Sequence, residues 1–131
     1  MSLGQSATPL GKVAGLGSAH EGGGHWLTER VTSAALLLLG AWLMASLLFL
    51  PSHDQVTLSE WLAPPSGAVP MALLVIVAFK HGLDGMKVVV DDYVHDEGNR
   101  FALNILLLFL AIGGASLALF ALGRIAFGGA A

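Results

Sequence analysis

The sequence predicts an all-α membrane protein with three transmembrane helices, and two observations carry that prediction. Of 131 residues, 55% are hydrophobic and only 11% charged, against about 25% charged in an ordinary soluble domain, and the mean hydropathy is +0.75. Three apolar runs also reach the roughly 20 residues that a helix needs to cross about 30 Å of hydrocarbon. The chain is too short for more than one compact unit. A net charge of −3 offers no basic surface for nucleic acid. With no cysteine, this chain by itself holds no disulfide, thiolate zinc or thiolate-ligated iron–sulfur cluster.

Residues 1–30 read as a cytoplasmic N-terminal segment rich in Gly and Ser. They have neither the apolar core of a secretory signal nor the Arg-rich amphipathic character of a transit peptide, so a bacterial inner membrane is expected. The membrane domain is expected over 31–127. Its first helix is Val31 to Leu50, VTSAALLLLGAWLMASLLFL, uncharged throughout and bounded by Arg30 and Pro51. The linker PSHDQVTLSEWLAPPSG is polar and proline-rich, with Trp61 suited to a membrane interface. A second helix is expected over about 69–90, with Pro70 in its first turn, and a third over about 101–122. The N-terminal side and the loop after the second helix carry Lys12, Arg30, Lys87 and Arg100, against Arg124 alone on the other side. The positive-inside rule puts the N-terminus in the cytoplasm.

The second helix carries ionisable groups where a span should be apolar: KHGLDGMKVVVDDYVHDEGNR, residues 80–100. Counting about 1.5 Å per residue from Met71, His81 lies about 15 Å in, near mid-membrane. Apolar surroundings should offer it few partners within this chain. A neutral imidazole at that depth suits axial ligation of haem iron. A hydrogen-bonded structural histidine is the competing reading. At about 100° per residue, Asp84, Gly85, Val88 and Asp92 share the face of His81. Gly85 and Gly82 leave room beside the backbone for a flat macrocycle. Asp92 and Tyr93 lie about 16 Å further toward the cytoplasm, where a carboxylate and a phenol suit a quinone headgroup. The plainer readings are an ion pair between Lys80 and Asp84, a snorkelling Lys87 and a solvated acidic turn.

The run from His81-Gly-Leu-Asp-Gly85 to Asp92-Tyr93 resembles the second helix of the succinate dehydrogenase hydrophobic membrane anchor subunits of respiratory complex II. VHDEGNRFALNILLLFLAIG resembles the continuation, and Arg30-Val-Thr32 is similar to the family's Arg-x-Thr entry motif. The likeness covers roughly residues 18–127. Gly82, where relatives commonly have Ala or larger, and the extra acid Asp84 depart from the pattern.

The resemblance implies three spans within a heteromeric helix bundle. It implies His81 as an axial ligand of haem b, the other histidine coming from a sister cytochrome b subunit. Gly85 would make room for the haem and Arg30 would lie near a propionate or the quinone pocket. Tyr93 would hydrogen-bond a ubiquinone carbonyl, with Asp92 beside it. His20, His25 and His95 are expected at the surface. The further partners implied are an iron–sulfur subunit, through it a flavoprotein subunit, and membrane lipid. Succinate oxidation itself belongs to the flavoprotein. Fumarate reduction by a similar complex, a small ion-handling protein with Lys80, Asp84 and Lys87 as a proton relay, and a scaffold are the alternatives. In the third helix, AIGGAS at 111–116 suits close packing on a neighbouring span.

Overall fold

The computed structural model describes residues 22–128, and these are helical almost throughout. Helix α1 spans Gly22–Phe49, α2 Gln55–Leu62, α3 Pro65–Tyr93 and α4 Glu97–Gly128. Among the described residues, α1, α3 and α4 are the helices long and apolar enough to cross a membrane. Each runs past the apolar stretch visible in the sequence. Backbone hydrogen bonds continue the helix through polar residues, so Arg30 sits on α1 and Tyr93 closes α3.

Two expectations are corrected in the segment between the first two spans. The polar linker is not all loop, because α2 lies within it. Asp54 caps that helix, accepting from the Thr57 amide at 2.8 Å and from the Ser52 hydroxyl at 2.7 Å. Pro70 lies inside α3 rather than in its first turn, which Pro65 opens instead. Fixed φ and a missing N–H suit Pro65 to a first turn, whereas Pro70 removes one rung of the helix ladder.

The Thr57 amide, and less so the Ser52 hydroxyl, hold the Asp54 carboxyl below its ordinary value of 3.8. A depressed folded value means the cap stabilises α2 above that ordinary value and is lost as the pH falls through the depressed one. Amide exchange at Thr57 is therefore expected to accelerate in acid, beyond its intrinsic pH dependence. Asp54→Asn, which caps without titrating, should remove the acceleration. An unchanged acid response in Asp54→Asn would show that Asp54 is not its source.

Helix α3 is the centre of the fold. It packs against α1 on one side and α4 on the other, while no Cα of α1 lies within 8 Å of one in α4. Gly114 of α4 receives the Phe79 ring so closely that a Cβ there would lie 2.6 Å from it, which bears out the close contact expected of AIGGAS. Trp61 of α2 stacks on Trp42 of α1 with ring centroids 5.4 Å apart.

Among the described residues, the buried hydrophobic side chains are Val90 and Leu122 alone, while Leu37, Leu48, Phe109 and Leu117 are among many that are exposed. In water such a surface would aggregate. In a bilayer it faces lipid tails or neighbouring spans without penalty. The chain is a multi-pass membrane protein whose interior is shared with its surroundings.

Candidate functional site

The middle of α3 brings together the groups that a hydrocarbon span is least expected to hold. His81, half-buried, faces α1, and its Nδ1 lies 3.0 Å from the Thr32 hydroxyl. This single hydroxyl contact accords with the expectation of few partners for the imidazole. Thr32 is two residues past Arg30 on α1, and the α1–α3 packing sets it opposite His81.

Beside this contact is a cavity of about 460 Å³ lined by Glu29, Arg30, Ser33, His81, Gly85 and Val88. A Cβ on Gly85 would meet nothing within 4 Å, so this flank of α3 is open. Arg30 also lies over the Trp26 ring, 5.1 Å from its centroid, a geometry in which the ring face attracts the guanidinium. Three residues singled out in the sequence, His81, Gly85 and Arg30, thus share one cavity wall. Val88 completes the His81–Gly85 stripe, as the helical period requires.

Asp84 does not join that wall. It is buried at 8% exposure and forms an ion pair with Lys80, one turn earlier. It is not among the cavity's lining residues, although the helical period alone would put it on the His81 face. Asp92 and Tyr93 are likewise not among the cavity's lining residues. They sit at the end of α3, both exposed, Tyr93 at 78%. The rise of the helix puts Tyr93 about 18 Å from His81 along the axis. Next to them, Asn104 of α4 donates to Asp91 at 3.2 Å and ties the ends of the two helices together. His95 is exposed, as expected. His20 and the side chain of His25 lie outside the described part of the chain.

On the opposite flank, a cavity of about 320 Å³ lies between α3 and α4, lined by apolar residues such as Phe79, Leu83, Met86 and Leu107. No group of three or more His, Asp or Glu residues gathers among the described residues as a metal cage would require.

Comparison with known proteins identifies the family. The family described as succinate dehydrogenase/fumarate reductase transmembrane subunit matches residues 5–121. The chain belongs to that family. The succinate dehydrogenase hydrophobic membrane anchor subunit of Paracoccus denitrificans is 32% identical over 121 residues, 92% of this chain and 93% of the relative. That of Rickettsia conorii is also 32% identical, over 77% of this chain and 81% of the relative. The Rickettsia bellii protein of the same name is 34% identical over 63% of this chain and 66% of its own length. No solved structure matches. As a succinate dehydrogenase anchor, the chain is one part of an oxidoreductase complex, and membership implies partner subunits.

Sequence reasoning did not assign Thr32 a role, although the Arg30-x-Thr32 motif contained the signal. It also passed over Asn104, a polar residue near the start of an apolar run.

Proposed function

We propose that this chain anchors a succinate:quinone oxidoreductase in a bacterial inner membrane, ligating a b-type haem through His81 and binding ubiquinone through Tyr93 and Asp92. The observation that carries the reading is His81 near the middle of a 29-residue α3, on a cavity wall shared with Arg30 and Gly85. The residues present fit a haem. His81 would hold its iron through an imidazole nitrogen, Gly85 would leave room beside the helix, and Arg30 would be a fixed cation suited to a propionate. A sister cytochrome b anchor supplies the second histidine. When bound, the haem supplies a one-electron store between the oxidised and reduced iron.

At the end of α3, Tyr93 donates its phenolic hydrogen to a quinone carbonyl oxygen. Asp92 orients that pocket or passes a proton toward it. Ubiquinone takes two electrons and two protons to become ubiquinol. The electrons come through an iron–sulfur subunit from a flavoprotein that oxidises succinate. Exposure of both Asp92 and Tyr93 suits a pocket completed by neighbouring chains. The cationic bias of Lys12, Arg30, Lys87 and Arg100 supports a cytoplasmic N-terminus and a cytoplasmic position for that pocket, on the face where the iron–sulfur subunit binds. Quinol-driven fumarate reduction would use the same anchor residues.

The test is a dithionite-reduced minus oxidised spectrum of the complex purified in mild detergent. A b-type signal lost in an assembled His81→Ala complex is expected. No such signal in the intact wild type would overturn the role of His81. For quinone, Tyr93→Phe should weaken binding by about fivefold, the worth of roughly 1 kcal/mol for one hydrogen bond. Succinate oxidation by a soluble artificial acceptor should be unchanged. Equal loss of both activities would remove the assignment of Tyr93.

A further inference from the structure

Thr32 is the member of the Arg30-x-Thr32 motif to which the proposed function assigns nothing, and its hydroxyl is the most connected side-chain atom near His81. Thr32 Oγ1 lies 2.9 Å from the Thr28 carbonyl, 3.1 Å from the Glu29 carbonyl and 3.0 Å from His81 Nδ1. A hydroxyl has one proton to give and two lone pairs to offer. The two carbonyls only accept. If they share the Thr32 proton, as side chains bonded back onto their own helix do, the contact to His81 is a hydrogen bond only when Nδ1 carries a hydrogen and donates it. In that tautomer Nε2 keeps its lone pair. Among the described residues nothing else bonds either ring nitrogen.

We propose that Thr32 is a positioning residue that holds His81 as the Nδ1–H tautomer and fixes its ring plane, so that Nε2 is the nitrogen available to a metal. This rests on the reading of His81 as a haem ligand. The reverse arrangement, with Thr32 donating to Nδ1, would put the hydrogen on Nε2 and block ligation there. Placement inside a membrane span strengthens the control, because little water competes for the imidazole. Donation from Nδ1 also makes the ring a more basic ligand, which favours ferric over ferrous iron.

The test uses the whole complex purified in mild detergent, comparing wild type, Thr32→Val and Thr32→Ser. Readouts are the midpoint potential of the b-type signal by redox titration and the low-field electron paramagnetic resonance feature of the ferric haem, which responds to the imidazole plane. Thr32→Val, equal in size but without the hydroxyl, is expected to bind haem about tenfold more weakly, the scale of losing such an outer partner. A tenfold loss confined to the ferric form raises a one-electron potential by about 59 mV. The low-field feature should shift, and Thr32→Ser should restore both readouts.

Wild-type values in Thr32→Val would overturn the proposal. If that variant does not assemble, Thr32→Cys takes its place, since a thiol is a much weaker acceptor. An unmoved potential there is equally decisive against Thr32. A wild-type complex without haem removes the ligand reading itself. A haem lost in His81→Ala but indifferent to position 32 removes only the role of Thr32.

Discussion

Removing the Lys80 ammonium, as in Lys80→Met, is expected to destabilise the assembled protein by about 3–5 kcal/mol, the usual consequence of leaving a buried charge without its partner. Asp84 is 8% exposed, and Lys80 is the ion-pair partner beside it. The pair lies within a membrane-spanning helix, where no bulk water takes over from a missing cation. Replacing both members with apolar residues of similar size should be close to neutral, because the desolvation cost of the buried Asp84 charge disappears with it. Thermal unfolding of the purified complex, followed by tryptophan fluorescence, measures the difference. A double variant as unstable as Lys80→Met would show that the loss has another origin.

The same pair separates the redox reading from a proton relay. A relay through Asp84 requires Asp84→Asn to stop turnover while Tyr93→Phe is silent. A structural pair beside a quinone site requires the opposite, with Asp84→Asn active once assembled and Tyr93→Phe impaired in quinone reduction. The location of Asp84 away from the cavity shared by His81, Gly85 and Arg30 favours the second outcome.

The Gly67→Ala variant is expected to lose about 1–3 kcal/mol or more, the range for forcing extra volume into a packed contact. A Cβ at this buried position would lie 2.1 Å from the Trp61 carbonyl oxygen. The obstruction is backbone, so no side chain can rotate aside and the junction between α2 and α3 must open. Trp61 would then be drawn off Trp42, on which it stacks, and α2 would loosen from α1. A change in tryptophan emission together with faster amide exchange across Gln55–Leu62 is the expected signature. Wild-type exchange there would show that the junction accommodates a methyl group.

Much of this arrangement was legible in the sequence. Hydrophobic length identified the three spans, and counting along the second put His81 near its middle. The helical period correctly grouped His81 with Gly85 and Val88, but it included Asp84 and Asp92 in a face that only the nearer residues share as a cavity wall. Asp84 is drawn to Lys80, and Asp92 is separated by axial distance. The starts of the spans were less legible, since Gly22 to Arg30 and Glu97 to Arg100 are largely polar yet belong to their helices. Helix α2 was hidden because its signal is a capping aspartate followed by a single short amphipathic stretch, within a segment whose prolines read as loop.

Family membership, the three-span plan and the place of His81 near the middle of its helix were determined by the sequence alone, because hydrophobic length and helical rise are properties of a continuous stretch of chain. The tertiary structure decided that Thr32 meets His81 across 49 positions, that Arg30 shares a cavity with Gly85, and that α1 and α4 pack on opposite sides of α3. Those outcomes depend on how one helix crosses another. Crossing is set by side chains interlocking across an interface, which the local period of either helix does not encode.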